Sequence, residues 1–163
     1  MKPAILLVAA VLSFPSLAFA QGAAPAPDIK ALATSAQVQE LIAKAKAMPP
    51  KPLISQPIVG TGAARANLEY RSGPANPASI HDNEHELFYV IEGSGTLTSG
   101  GTLVNGKRSN PANQSGDSIT GGTDTHLAKG DFMIVPAGAA HQITADAGGA
   151  IALMTFHAAA TAP

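Results

Sequence analysis

Short β-rich segments separated by glycine and proline constrain this chain more than any other feature. The 163 residues include 16 Gly and 13 Pro. Because these residues interrupt regular structure and favour turns, they divide the chain into short strands rather than long helices. Several short strands with Gly-rich turns are typical of a β-sandwich or a β-barrel. We therefore predict an all-β fold of single-domain size.

The predicted strands all lie after residue 63. They are the segments 66–71, 86–91, 96–98, 132–135, 142–144 and 151–156. Apolar residues dominate 86–91 and 132–135, which predicts strands covered on both faces. The predicted barrel lining or core consists of Phe88, Val90, Phe132, Ile134, Leu153 and Phe156. Residues 93–95 predict a turn, and the polar stretch 105–122 predicts a long surface loop.

The first twenty residues have the layout of a secretory signal peptide. Lys2 supplies a positive charge, residues 4–12 are apolar, and Ala18 and Ala20 are the small residues before a cleavage site. The apolar run is too short to span a membrane, and Pro15 interrupts it. We predict cleavage after Ala20 and export, to the periplasm or as a secreted protein that is soluble once the signal is removed.

Residues 21–62 predict an Ala/Pro linker, a helix and a Pro-rich connector ahead of a β-barrel domain at 63–163. The spacing of apolar residues predicts helical structure over 28–48, with Thr34 or Ser35 as the cap of a second segment that Pro49 and Pro50 end. The prolines of 49–60 predict an extended connector. The helix is predicted to be an arm that packs against the domain or against the partner in a homodimer.

Composition excludes several classes of function. The chain has no Cys, so it has no disulfide, no thiolate metal site and no Cys nucleophile. With 10 Lys+Arg against 11 Asp+Glu, it lacks the basic surplus that binds nucleic acid or anionic membranes. Any metal must be held by imidazole and carboxylate groups, which suit Fe, Mn, Ni or Zn.

The histidines carry the functional signal, because all five lie in the predicted β domain. They are His81, His85, His126, His141 and His157. The segment Gly73-x5-Ser79-x-His81-x4-Glu86-x6-Gly93 resembles the first motif of the cupin superfamily, G-x5-H-x-H-x3,4-E-x6-G. The segment Gly130-x5-Pro136-x-Gly138-x2-His141-x3-Ala145 resembles the second, G-x5-P-x-G-x2-H-x3-N. The resemblance implies a jelly-roll β-barrel, to which the helix predicted from apolar spacing adds an N-terminal helical arm.

The same resemblance implies a divalent metal held by His81, Glu86 and His141. Two positions depart from the pattern, because Ser79 stands where the family has a histidine and Ala145 where it has an asparagine. His85 is an alternative fourth ligand, but strand alternation directs it away from the face of Glu86. A turn or bulge before Glu86 would bring that residue and His81 to one side.

Several other interpretations of the polar residues stay open. The barrel pocket could be empty of metal, with His81 and Glu86 bonded to each other, and Ser79 could bond a bound water. His126 is predicted at the surface or the pocket rim, and His157 is predicted to face solvent. A solvated basic face, or a contact with an anionic substrate at the barrel mouth, is predicted for Arg65, Arg71, Lys107 and Arg108.

Three classes of function remain open. The first is a metal-dependent enzyme that acts on a small organic molecule as a dioxygenase, decarboxylase or isomerase. The second is a non-catalytic module that binds a small molecule or a metal, and the third is an assembly protein that packs through its helix. Retained ligand positions favour the first two, and the fold alone does not separate enzyme from binding module.

Overall fold

A computed structural model describes residues 32–61, 64–73 and 76–160, which form one helix followed by twelve strands. The elements are α1 (Ser35–Lys46), β1 (Lys51–Thr61), β2 (Ala64–Ser72), β3 (Ala78–His81), β4 (Glu84–Ser99), β5 (Thr102–Val104), β6 (Lys107–Asn110), β7 (Asn113–Gly116), β8 (Ser118–Thr120), β9 (Thr123–Ala128), β10 (Phe132–Val135), β11 (His141–Ala145) and β12 (Ile151–Ala159). The predicted signal peptide and Ala/Pro linker lie outside the described residues. Within those residues no helix has the length and apolar character needed to cross a membrane.

Antiparallel pairing joins ten of the twelve described strands into two layers that curl around one interior, and β5 and β8 form a separate pair. The first layer has the order β1-β2-β12-β4-β10, and the second has the order β9-β4-β11-β3-β7-β6. The long strand β4 belongs to both layers, because its first half pairs with β12 and β10 and its second half with β11 and β9. This curled half-barrel confirms the all-β prediction.

The main hydrophobic core fills the space between the two layers. Its buried members are Phe88, Val90, Leu97, Leu127, Val135, Ile143, Ile151 and Leu153. Three of the predicted core residues, Phe88, Val90 and Leu153, are fully buried here. Because side chains alternate between the faces of a strand, each of these strands contributes only every second residue to this core.

The prediction that 86–91 and 132–135 are covered on both faces is wrong. Tyr89 is 38% exposed, Phe132 60% and Ile134 57%. Tyr89 lies opposite both Phe132 and Met154, so these side chains form an uncovered apolar row across the outer face of the first layer. Strand alternation puts them there, and the apolar composition alone did not reveal it.

Helix α1 covers another part of that outer face. It begins after Thr34, whose hydroxyl accepts a hydrogen bond from the Gln37 backbone in a capping box. Ile42 and Ala45 are buried against a cluster that includes Leu68 and Tyr70. The helix therefore packs against its own domain, as one of the two predicted alternatives required, while a homodimer stays a prediction.

Two segments predicted to be irregular form strands instead. The predicted connector 49–60 contains β1, which pairs with β2 at the edge of the first layer. Pro52 and Pro57 are tolerated there because an edge strand has one unpaired side. The predicted loop 105–122 contains β6, β7 and β8, and its polar composition reflects one exposed strand, β6, and two partly buried ones.

The predicted turn at 93–95 is also wrong, because β4 continues through these residues. The pairing with β12 shifts register near Gly93, which has a φ of +81°. A Cβ at this position would collide with the carbonyl oxygen of Ala150. Glycine therefore lets β4 bend from one layer into the other while β12 stays in close contact.

Candidate metal centre

Four polar side chains from four strands converge at one end of the barrel interior. Glu86 on β4 and His157 on β12 are direct partners across the first layer. His81 on β3 and His141 on β11 come from the second layer, where His141 lies opposite Ser79. The two curled layers therefore bring together residues that are far apart along the chain.

Glu86 is the centre of this cluster. Its Oε2 lies 3.2 Å from His81 Nε2 and 3.0 Å from His141 Nε2, and its Oε1 lies 3.4 Å from His157 Nε2. One donor atom from each of His81, Glu86 and His157 lies within 4.8 Å of the others. Since Glu86 is only 4% exposed, its carboxylate needs a compensating charge.

A bend between β3 and β4 places His81 and Glu86 on the same side. β3 ends at His81 and β4 begins at Glu84, so the predicted turn between the two site residues is confirmed. The Asp82 N–H donates to the carbonyl of Ala112 at 2.8 Å, and Arg108 contacts the Asp82 carboxylate at 2.5 Å. The Arg108 guanidinium lowers the pKa of Asp82 below its usual range.

The turn before His141 is held by the first-motif segment. Gly138 donates its backbone N–H to the carbonyl of His81 at 2.8 Å. The Ala137 N–H donates to Nδ1 of His85 at 3.1 Å, so His85 supports this turn from the other side. His85 therefore acts as an acceptor for backbone and is not among the residues that line the cavity at the cluster.

Two hydrogen bonds fix the orientation of the imidazoles. Asn113 donates its amide nitrogen to Asn110 Oδ1 at 2.9 Å, so its oxygen faces His81 Nδ1 at 2.5 Å and that nitrogen is the donor. His141 Nδ1 donates to the carbonyl of Ala139 at 3.2 Å. With Nδ1 protonated in both rings, each neutral imidazole presents an Nε2 lone pair to Glu86.

The charges at the centre show what the cluster can hold. Burial would raise the pKa of the Glu86 carboxyl, but the imidazoles of His141 and His81 outweigh it and keep the pKa far below its usual range. The Glu86 carboxylate in turn raises the pKa of His81, against the opposing effect of burial. The site therefore favours an ionised Glu86 carboxylate with a positive charge beside it.

A divalent metal fits this donor set. Within the described residues, the buried Glu86 Oε2 has no hydrogen-bond partner, although two imidazole nitrogens lie near it. Atoms that share one metal through bonds of about 2.1 Å lie roughly 3.0–3.4 Å apart, which is the range of the distances here. A metal-binding imidazole is usually supported by an acceptor that holds its other ring nitrogen, as Asn113 and the Ala139 carbonyl do here.

The prediction that His157 faces solvent is wrong. Its side chain is 12% exposed, and Nδ1 lies 3.2 Å from Glu84 Oε2. His157 shares the inward face of β12 with Leu153 and Thr155, because it follows them at two-residue spacing. That alternation was the signal in the sequence that could have placed His157 in the interior.

His126 is exposed, with 64% of its side chain accessible, and its Nε2 lies 3.4 Å from Asp146 Oδ2 on the outside of the second layer. Ser79, in contrast, lines the cavity beside the cluster. The structure thus separates the three residues predicted as extra ligands or pocket residues: Ser79 lies at the site, whereas His85 supports a turn and His126 is at the surface.

A cavity of about 320 Å³ adjoins the four polar side chains. The other residues that line it are Leu53, Glu69, Arg71, Asn76, Pro77, Ser79 and Ser115. The predicted solvated face is wrong for Arg71, which is 9% exposed and pairs with Glu69 inside the barrel. Arg65, Lys107 and Arg108 are exposed, as that prediction required.

Comparison with known proteins identifies the family. The family model described as cupin matches residues 54–162. The chain belongs to the cupin family. Its motif glycines Gly73, Gly93, Gly130 and Gly138 all have positive φ values, so the cupin pattern marks backbone positions that favour glycine.

Two solved structures show the same cupin fold at low sequence identity. The cupin domain of Cnp3 from Schizosaccharomyces pombe is 15% identical with a TM-score of 0.51, and the match covers 71% of this chain and 66% of that one. The protein TT1209 from Thermus thermophilus is 17% identical with a TM-score of 0.50, covering 71% and 93%. A search of curated protein sequences found no significant match.

Proposed function

We propose that this cupin is a metal-dependent enzyme that acts on a small organic molecule. In this proposal His81, Glu86 and His141 hold a divalent cation of the Fe, Mn, Ni or Zn class, and His157 supplies a fourth ligand. The single observation that carries the proposal is the buried Glu86 Oε2, which lacks a hydrogen bond although imidazole nitrogens lie 3.0 and 3.2 Å away.

His157 supplies an imidazole in place of the family histidine that is Ser79 in this chain. Its Nε2 lies 3.4 Å from Glu86 Oε1, whereas the other two imidazoles approach Oε2. The last strand therefore presents a nitrogen to the carboxylate from the first layer. This arrangement gives three imidazoles and one carboxylate, a donor set suited to divalent iron, manganese, nickel or zinc.

The surrounding residues would orient a substrate and limit water at the centre. Ser79 and His141 line the cavity, and Leu53 and Pro77 contribute apolar parts of its wall. Asn113 and the Ala139 carbonyl hold the His81 and His141 rings in place. A bound metal would supply Lewis-acid or oxygen-activating chemistry, which suits a dioxygenase, decarboxylase or isomerase.

Metal analysis of the purified protein tests the proposal. We expect one divalent metal per wild-type chain, and loss of at least about tenfold in affinity for His81→Ala, His141→Ala and Glu86→Gln. Removal of the metal with a chelator should lower the thermal midpoint of wild type, since a ligand bound only to the folded state stabilises it. In Glu86→Gln the chelator should lower the thermal midpoint by much less.

Two controls make the result specific. His126→Ala removes an exposed imidazole from the surface and should retain wild-type metal content. His157→Ala should weaken metal binding, which separates a fourth ligand from a neighbour that only packs. Substoichiometric metal in wild type after exposure to each candidate cation, or equal binding by Glu86→Gln, would falsify the proposal.

Turnover separates the enzyme from a non-catalytic binding module in the same cavity. Metal-loaded wild type should convert at least one member of a panel of small acids, phenols and sugars, followed by oxygen uptake and mass spectrometry. Glu86→Gln is the negative control. Binding without conversion across the panel would instead support the module.

Export is part of the proposal and rests on the first twenty residues. Mass spectrometry of protein from the native host should find Gln21 at the N-terminus. Soluble cytoplasmic protein that retains Met1 would contradict export, and it would leave the proposed metal chemistry intact.

A further inference from the structure

The cavity has a second polar group that the metal centre does not use. On β2, Asn67, Glu69 and Arg71 lie at two-residue spacing on the inward face. Glu69 lies opposite Leu153 and Arg71 opposite Ile151, and both of these partners belong to the main core. A carboxylate and a guanidinium therefore lie at interior positions whose neighbours across the sheet are apolar core residues.

Arg71 is held firmly but is only partly satisfied. Its Nη2 bonds to Glu69 Oε2, and its Nη1 donates to the carbonyl of Ile143 at 3.2 Å. A guanidinium has five N–H groups, and its Nε finds no partner within the described residues. Because Arg71 is 9% exposed, water cannot freely satisfy these donors.

Asn76 repeats this pattern at the same cavity. It is 3% exposed, and among the described residues neither its Oδ1 nor its Nδ2 has a hydrogen-bond partner. An amide buried in this way is costly unless something bonds to it. Arg71 and Asn76 thus form a wall whose unused groups include N–H donors.

The position of this wall relates it to the metal centre. The carbonyl that accepts from Arg71 belongs to Ile143, two residues after His141 on β11. Both Arg71 and Asn76 line the cavity that His81, Glu86 and His141 also line. One small molecule in this cavity could therefore contact both residues and the centre together.

Charge indicates what that molecule carries. A divalent cation beside the Glu86 carboxylate leaves one net positive charge, and the Glu69–Arg71 pair adds none. A monoanion would neutralise the loaded cavity. Guanidinium N–H groups form paired hydrogen bonds with the two oxygens of a carboxylate, a group that supplies this single negative charge.

We propose that Arg71, with Asn76, forms a carboxylate-binding subsite, so that the substrate is a small organic acid. This inference rests on the proposed metal-dependent function and narrows its substrate class. Arg71 is a specificity-determining residue here, and Glu69 positions it and moderates its charge.

Paired probes on the manganese-loaded full chain test the subsite. Small hydroxycarboxylates, glycolate among them, are compared with their primary amides by calorimetric titration. Wild type should bind at least one carboxylate about tenfold more tightly than its amide. Arg71→Met should lower that ratio, whereas Glu69→Gln should increase it, because the arginine charge is then no longer neutralised.

The double variant Glu69→Gln with Arg71→Met protects the test against misfolding, because it leaves no unpaired buried charge. Its carboxylate preference should be smaller than that of wild type, and the part that remains comes from the charge of the metal. The subsite is overturned if wild type binds every carboxylate about as tightly as its amide. It is also overturned if either folded variant that carries Arg71→Met keeps the carboxylate-to-amide affinity ratio of wild type. If Arg71→Met does not fold, an unchanged ratio in Glu69→Gln overturns it as well.

Metal content is measured in the same samples. Wild type that takes up neither manganese nor iron, nickel or zinc counts against the proposed function, and the subsite then fails with it. Metal-loaded wild type without carboxylate preference counts against the subsite alone.

Discussion

The two ends of the barrel interior use the same strands for opposite purposes. β4 contributes Phe88 to the apolar end and Glu86 to the polar end, and β12 contributes Leu153 and His157 in the same way. A step of two to four residues along either strand is enough to pass from one end to the other. The apolar end stabilises the fold, and the polar end depends on that stability to keep charged groups out of water.

The largest effect should come from breaking the apolar end. Leu153→Ala removes a fully buried side chain from the core and should lower the free energy of unfolding by about 2–5 kcal/mol. Denaturant titration measures this loss. Met154→Ala, at the next position but 36% exposed on the outer face, is the matched control and should cost much less.

The same Leu153 variant also tests whether the two ends are independent. Under conditions in which it remains folded, it should bind metal with the stoichiometry of wild type. A folded Leu153→Ala protein that has lost its metal would show that the polar end depends on core packing in detail.

A smaller effect, confined to the polar end, should follow from Asn113→Ala. This change removes the oxygen that accepts from His81 Nδ1, and it should weaken metal binding by about 10–100-fold. Asn113→Asp retains an oxygen acceptor and should recover most of the affinity. Equal affinities for wild type and Asn113→Ala, measured by competition with a chelating dye, would show that this hydrogen bond does not support the ligand.

The smallest effect is expected where the two ends meet. Thr155 is fully buried between Leu153 and His157, and its hydroxyl has no partner among the residues that the structure describes. Thr155→Val keeps the shape and removes the unsatisfied group, so it should raise the free energy of unfolding by about 1 kcal/mol. Thermal denaturation measures the change.

Thr155→Ser is the matched control, because it keeps the hydroxyl and loses the methyl group. It should be less stable than wild type. If Thr155→Val instead lowers metal affinity, the Thr155 hydroxyl supports metal binding. The polar end of the interior would then extend past Thr155 towards Leu153.

The sequence predicted the fold class correctly but missed several of the strands. The motif spacing depends on glycines with positive φ and on a bend after His81, and these local requirements can be read from residue types. The segments 49–60 and 105–122 were mistaken for irregular chain. Edge and exposed strands accept proline and polar residues, so they lack the apolar pattern that marks a buried strand.

The site was predictable where a motif covered it and not elsewhere. His81, Glu86 and His141 were singled out by their match to the motifs, and the structure brings them together at 3.0 and 3.2 Å. His157 and Arg71 lie outside the motifs. Their burial follows from alternation on β12 and β2 together with the curl of both layers, and only a three-dimensional arrangement shows which face is inward.

The order of strands has a consequence for how the protein is made. β12 is the last strand described, yet it lies between β2 and β4 in the middle of the first layer. Until β12 has been synthesised, the edges of β2 and β4 that face it have no partner strand, and the growing chain lacks His157. Closure of the barrel is therefore a late step that joins distant segments, and the complete set of ligands exists only in a chain whose synthesis has passed residue 157.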